Sequence, residues 1–437
     1  MLSHPVEQRP VSRRQLLQAS LLTAGGAALA DVLRLRSLAA SQSAPRRETS
    51  VIFVVLGGGP SQYETYTPKP EAPVEYRGAF GSISTRVPGV SFCELLPQQA
   101  QLMDKVSIVR SVHHEQASHI ALHIVYTGYD LRSSANALKG EMPTVGSVAS
   151  RVRGVGPTGI PAFVALPRLF AYASPHWLGA QHQYFGVRED PNEPDFQVSN
   201  LAPNEKVTVD QLQDRRALRR RLDRQTRMVD LERSADTIDA FSQQAFDLVT
   251  GEAARKAFDI ERETPALRDR YGRTSIGQRM LLARRLVEAG VPFVTVRMGD
   301  WDDHIDLPGR IRKRAPEYDA GLSALINDLH ERDMQRDVLV VAMGEFGRTP
   351  RVNPNGGRDH YPAVNNVLLS GGDFRMGQVI GETDRNGAEV VEAPYRPQSV
   401  LAMVYRHLGI DPGMTFKDYA GRPRYVLEQR EPITELI

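Results

Sequence analysis

The sequence predicts an α/β fold, one mainly parallel sheet covered by helices, and two observations carry that expectation. The first is alternation: residues 276–289 read as a helix stopped by Gly290, 292–297 as a strand, about 316–333 as a second helix and 338–343 as a second strand. Elements of these lengths in this order require parallel pairing through right-handed crossovers. The second is strand type. Residues 51–56 and 338–343 are unbroken apolar runs, as long as a buried strand and too short for a helix.

Composition narrows the function classes. The chain has 437 residues, room for one large or two modest domains. Its net charge of +2 provides no general basic field for nucleic acid or an acidic membrane surface. Cys93 is the single cysteine, which excludes an intramolecular disulfide and a Cys-rich metal site.

In chain order, Arg13 and Arg14 precede a mildly apolar stretch broken by Gly25 and Gly26, then small residues around 39–44. This has the form of a twin-arginine signal, so residues 1–44 are expected to be signal and linker, with the translocase as partner during export. The apolar stretch is too short for a membrane span. The protein is therefore expected in the periplasm or another extracytoplasmic space, not integral to the membrane after processing. The folded domain is expected over residues 50–433.

The first strand, 51–56, runs into Gly57, Gly58 and Gly59, a sharp turn first and an anion cradle second. It lacks a P-loop lysine and dinucleotide spacing. Residues 67–97, rich in proline and glycine, read as loop. After a short strand at 107–109 come His113, His114, Ser118, His119 and a helix at about 120–126. His119 and His123 are four apart, on one helical face, and such a pair either holds a metal or is hydrogen-bonded in place. A helix start there favours an anion and helps activate the Ser118 hydroxyl. A strand at 162–166 leads into a long rim containing His176 and His182.

Residues 210–258 open on a capping box and read as a helical excursion. Its seven arginines between 215 and 227 are interleaved with Asp214 and Asp223, with no aromatic companion. That is a salt-bridged solvent face and not a nucleic-acid site. A later strand at 366–372 and a helix at 397–407, capped by Gly409, close the chain.

Two loops after strands carry the chemistry, where open α/β sheets gather their ligands. One is Gly299-Asp300-Trp301-Asp302-Asp303-His304, whose carboxylates repel unless solvated, protonated or shared with a cation. The other runs from Gly344 and Glu345 through Arg348 to Asp359 and His360. If the two strands are neighbours, Asp302, His304 and Glu345 meet, with Asp359 and His360 returning to them and Ser118 and His119 facing the same hollow. The plainer alternatives are a solvated acidic loop and a Glu345–Arg348 salt bridge.

The chain resembles an uncharacterised family of exported bacterial proteins, domain of unknown function 1501, itself distantly similar to sulfatases and alkaline phosphatases. The residues that carry this are Gly58-Gly59-Pro60-Ser61, Pro68-Lys69-Pro70, Val109-Arg110-Ser111 through Thr127-Gly128, and Leu282 through Gly290. Trp301-Asp302-x-His304, Gly344 through Pro350, and Gly357-Arg358-Asp359-His360 complete the set. The resemblance implies an alkaline phosphatase-like, three-layer αβα sandwich. It implies Asp302, His304, Glu345 and His360 as metal ligands, with Asp359 beside the last and Asp300 as an alternate. The metal is zinc, manganese, magnesium or calcium. Counting back from Thr127-Gly128, the nucleophile falls on or beside Ser118.

The chain departs from this pattern in three ways. Its first strand ends without an aspartate, it has Gln62, Glu64 and Thr67 where His and Asp are expected, and it lacks the Cys-x-Pro-x-Arg motif of a standard sulfatase. One metal, or none, is then expected. The functional expectation is an exported metal-dependent hydrolase acting on an anionic phosphate or sulfate ester. The alternative is a catalytically inactive binding or assembly protein on the same fold.

Overall fold

β1 (Ser50–Leu56) is the axis of the structure, a computed structural model that describes residues 48–130, 141–156, 158–170, 173–199 and 251–437. The expected signal at 1–44 and the excursion up to residue 250 lie outside the described residues. All seven β1 residues are buried. Successive side chains of a strand point to opposite faces. Accordingly Ile52, Val54 and Leu56 enter one apolar core, and Val51, Phe53 and Val55 the other.

The remaining strands of the sheet are β2 (Val106–Val112), β3 (Phe163–Leu166), β4 (Phe185–Gly186), β5 (Phe293–Met298), β6 (Val338–Met343), β7 (Asn365–Gly371) and β8 (Val379–Ile380). Their spatial order is β8-β2-β7-β6-β1-β5-β3-β4. β1 pairs in parallel with both β5 and β6. The registers Leu56↔Met298 and Val55↔Met343 bring the carboxyl ends of these three strands to one edge, side by side.

Helices cover both faces. α1 (Leu122–Thr127), α2 (Val145–Arg153) and α5 (Pro397–His407) pack on the Val51 face, while α3 (Ser275–Glu288) and α4 (Leu307–Glu331) pack on the Ile52 face. In α3, Ile276, Met280, Ala283 and Val287 recur at helical spacing and are buried, and the Thr274 side chain accepts from the Gly277 amide to cap the first turn. The architecture is a three-layer αβα sandwich.

Four points differ from expectation. The strands at 293–298 and 338–343 are not neighbours, because β1 lies between them and pairs with both. The stretch 67–97, expected as loop, carries a short antiparallel ladder of Ser82–Ser84 with Ser91–Cys93. β7, in a sheet expected to be mainly parallel, runs antiparallel to both its neighbours, β2 and β6. No crossover helix follows β6, so the chain re-enters the sheet from the edge it left and must run backwards. α4 begins at Leu307, nine residues before Pro316. Asp306 caps it by accepting from the Gly309 amide, Pro308 lies in the first turn, and Pro316 is carried in the interior. Proline at a helix start costs nothing because that N–H has no intrahelical acceptor; at an interior position it removes one bond. Among the described residues no helix is long and apolar enough to cross a membrane.

Candidate metal centre

The site is built where β1, β5 and β6 end together. After β1 the chain turns through Gly58 and Gly59 at φ +115° and +82°. A Cβ on Gly58 would lie 2.5 Å from the Asp302 amide nitrogen, and one on Gly59 2.5 Å from the Phe346 ring. Only glycine lets this turn press against both neighbouring loops. The turn is also an anion cradle, and the anion is the protein's own: the Gly58 amide donates to both carboxylate oxygens of Glu345, at 2.9 and 3.1 Å.

His360 returns to the site because Gly347–Arg348 and His360–Tyr361 form a short antiparallel ladder with His360 opposite Arg348. Its Nδ1 lies 2.8 Å from the Ala117 carbonyl oxygen, which can only accept, so Nδ1 carries the hydrogen. His304 Nδ1 lies 2.7 Å from Asp359 Oδ1 and donates in the same way. This hydrogen bond, ahead of a small opposing effect of burial, holds the Asp359 carboxyl below the usual carboxylate range. With the hydrogen on Nδ1, each ring turns its Nε2 inward.

The two Nε2 atoms and Asp302 Oδ1 form a triangle with all three sides 3.0 Å. Three acceptors at that separation repel unless a proton or a cation lies among them. Ligands about 2.1 Å from one ion and at right angles to each other are separated by about 3.0 Å, so the donor set fits a divalent metal. The arrangement also has the outer support that metal-bound histidines need, a carboxylate on one Nδ1 and a carbonyl on the other.

His119 stands beside the triangle. Its Nδ1 is 2.8 Å from Glu345 Oε1 and its Nε2 3.2 Å from Asp302 Oδ2. Suitable atoms of His119, Asp302 and His360 all lie within 4.8 Å of one another. The Glu345 hydrogen bond raises the proton affinity of His119, burial opposes it, and the charges of Glu345 and Asp302 add to it. Protonated, the ring donates to both carboxylates at once.

Asp302 is drawn far below the carboxylate range. Burial alone would raise it, but the Arg348 hydrogen bond, the His360 ring at 3.0 Å and the charges of Arg348 and His119 prevail. The guanidinium of Arg348 is fully buried and reaches Asp302 Oδ1 at 2.6 Å, Gly59 O at 2.8 Å, Arg358 O at 2.9 Å and Trp301 O at 3.1 Å, and it also bonds Gly58 O. One side chain thus ties the glycine turn, the Trp301 loop and the Arg358 loop together. The expected alternative, a Glu345–Arg348 ion pair, is not formed; each group has a different partner. Asp303 is buried and held by Arg314 at 2.6 Å and Arg310 at 2.9 Å. The acidic loop is therefore shared with cations of the chain and not merely solvated.

Asp302, His304 and His360 thus form the triangle. Glu345 is 0 % exposed and lies one step behind, on His119 and Gly58. Asp359 reaches the triangle through His304. The Ser118 hydroxyl donates to Gln116 Oε1 at 2.9 Å, with Ser118 itself at the start of the turn carrying His119. His123, expected as a candidate partner of His119, is buried elsewhere. It lies 2.8 Å from the Tyr129 carbonyl through Nδ1 and accepts the Glu141 amide at Nε2. The two rings part because His119 lies in a 3-10 turn before α1, where fourfold spacing does not stack side chains.

Sequence reasoning missed Arg348 and His114 as parts of the site. The His114 ring accepts the Gln116 amide on Nδ1 and donates from Nε2 to the Glu345 carbonyl at 2.5 Å, bracing the Glu345 loop. The available signal was position alone, Arg348 five residues past the end of a buried strand. Gln62 bonds the Arg348 backbone through both amide atoms at 2.8 Å, and Glu64 pairs with buried Arg358 at 2.9 Å. These two departures from the family pattern are structural braces.

Residues 48–437 match the model of the family described as "Protein of unknown function (DUF1501)". No curated protein matches the chain in sequence. Similar solved structures include the PsFucS1 sulfatase from Pseudoalteromonas sp., with 14% identity, TM-score 0.37, and 89% of this chain and 72% of that chain covered. A protein in the alkaline phosphatase superfamily from Vibrio parahaemolyticus has 10% identity, TM-score 0.36 and coverages of 84% and 67%. The C-terminal periplasmic domain of EcEptC from Escherichia coli, in complex with Zn, has 9% identity, TM-score 0.38 and coverages of 91% and 93%. At these TM-scores the likenesses assign no chemistry to this chain.

Proposed function

The chain belongs to the DUF1501 family of proteins of unknown function, and from that premise we propose that it is an exported metal-dependent hydrolase of phosphate or sulfate esters. The observation that carries the proposal is the triangle formed by Asp302, His304 and His360, which a proton or a cation must relieve and whose spacing suits a divalent ion. A divalent ion bound there would supply Lewis-acid polarisation of an ester oxygen and activation of water.

The chain's own groups would do the rest. Asp359 and the Ala117 carbonyl keep the hydrogens of His304 and His360 on Nδ1, leaving both Nε2 atoms free to ligate. Arg348 keeps Asp302 ionised. His119, held by Glu345 and only part-buried, can keep a proton at Nε2 for the departing ester oxygen. Ser118 is the candidate nucleophile if it leaves Gln116; otherwise water attacks. Because β1 ends in glycines and the Gly58 amide already holds Glu345, the described residues offer ligands for one ion.

The test is ester hydrolysis by protein loaded with zinc, manganese, magnesium or calcium, screened over aryl phosphates and sulfates. Turnover abolished in His304→Ala and reduced at least a hundredfold in His119→Ala supports the reading. Full metal occupancy without turnover on any ester favours the alternative, a binding or assembly protein. Export by the twin-arginine translocase has its own test, since changing Arg13 and Arg14 together to Lys should leave the full-length precursor in the cytoplasm.

A further inference from the structure

A cavity of about 510 Å³ opens beside the carboxyl end of β5, with no histidine in its wall, and five basic residues line it: Arg279, Arg297, Arg310, Lys313 and Arg314. Two carboxylates, Asp300 and Glu317, share the wall, and no aromatic ring does. Arg310 and Arg314 share one carboxylate, Asp303, between them. Arg279 approaches Asp190 no closer than 3.9 Å, and Lys313 has no ion-pair partner among the described residues. The Nε donors of Arg279 and Arg314 are buried without a hydrogen-bond acceptor. Unpaired buried donors are uncommon, because each has given up water without replacement. The first turn of the 14-residue α3, at Ser275 and Ile276, adds amides without intrahelical acceptors and the positive end of the helix dipole.

We propose that this cavity is a second, metal-independent binding site, for a tetrahedral oxyanion, phosphate or sulfate, either free or carried as an ester. The guanidinium fork of Arg279 suits such an ion in two-point contact, and Lys313 supplies a point charge from the rim. Burial weakens the hold of Arg279 on its proton, Asp190 counters this, and the charge of Arg297 adds to it, so the cations are close enough to repel until an anion enters. The absence of aromatic lining argues against a nucleobase, which would need a ring to stack on.

The experiment is calorimetric titration of inorganic phosphate, and separately of a sugar monophosphate, into metal-stripped His360→Ala protein, in which the histidine site is disabled. One saturable site is expected. Arg279→Gln with Lys313→Gln in the same background should weaken it at least tenfold with an unchanged circular dichroism spectrum. Exposed Lys313→Gln alone should weaken it measurably and stands in if the double variant does not fold. Tighter binding of the sugar monophosphate identifies an ester-borne group, and tighter binding of inorganic phosphate the free ion. Absence of saturable binding of both at millimolar concentration, or equal binding by parent and Arg279/Lys313 variants, overturns the proposal. Failure of the histidine site to bind metal leaves the expected result unchanged.

Discussion

Two clusters of ionisable residues sit on this sandwich, and they are built to opposite rules. Between α3 and α4, Arg284 is 0 % exposed and contacts Asp328 at 2.9 Å and Glu263 at 2.7 Å, as charge contacts more than aligned hydrogen bonds. The Tyr271 hydroxyl donates to Asp328 at 2.9 Å, and Arg332 reaches its other oxygen at 2.8 Å. Every carboxylate there faces a cation. At the strand ends, Asp302 Oδ1 and two Nε2 atoms face one another. The first cluster is complete within the chain and holds the fold together; in the second, Asp302 Oδ1 is paired with Arg348 on one side and still faces two ring nitrogens on the other, which is what a binding site looks like.

The comparison predicts its largest effect in the closed cluster. Arg284→Met takes a fully buried cation from half-buried Glu263 and buried Asp328, which keep Arg285 and Arg332, and breaking a buried pair typically costs about 3–5 kcal/mol. Urea unfolding should register a loss of that size, and a change under about 1 kcal/mol would mean the network is not a structural unit. In the open cluster, by contrast, His304→Ala removes a half-exposed ligand. Metal affinity should fall at least a hundredfold while the melting temperature of the metal-free protein stays nearly constant. Glu345→Ala belongs with the closed cluster in this respect, because it strands the Gly58 amide, and it should lower stability as well as activity.

A smaller effect is expected one step behind the ligands. Asp359→Asn keeps the shape but loses the charge that fixes the His304 tautomer, and outer partners of this kind are worth about 10–100-fold in metal affinity. Competition with a chromophoric chelator measures it, and unchanged affinity would remove Asp359 from the site.

Much of this was legible in the sequence, for reasons that mark the limits of such reading. The strands at 51–56, 292–297 and 338–343 and the helices at 276–289 and 397–407 are fixed by local periodicity. The direction of β7 is not local, because it depends on the connection after β6 holding no helix. The approach of Asp302 and His304 to the loop after β6 was expected from two neighbouring strands; the strands have β1 between them, but their ends still share one edge, and His360 joins through its ladder with Arg348. The position of Glu345 behind His119 was not expected, because it rests on where one glycine amide points, and nothing in the residue string encodes that. Arg348 was read as a partner for Glu345 three residues away, yet folding presents it to Asp302, 46 residues away in sequence, at 2.6 Å.

The smallest predicted effect is a pH dependence. Glu263 is held below the usual carboxylate range; burial raises it, but Arg284 and Arg285 prevail. Its contribution to stability is present above the unfolded value, near 4.5, and is lost as the pH falls through the lower folded value. Asp319 behaves oppositely. Burial pushes it up to about 6, with the Gln98 and Gln99 amides opposing. Its contribution is present below the unfolded value and lost as the pH rises through about 6. Asp319→Asn should therefore flatten stability between about pH 4 and 6, read from urea midpoints. An unaltered profile would show that Asp319 does not titrate in that window.

The most direct test of the central claim is metal stoichiometry by mass spectrometry after equilibration with zinc, manganese, magnesium or calcium and removal of excess ion. The account predicts one ion per chain for the wild-type protein and background levels for the His304→Ala/His360→Ala double variant, with the circular dichroism spectra of the two superimposable. No retained ion in the wild type, or equal retention in the double variant, would contradict it.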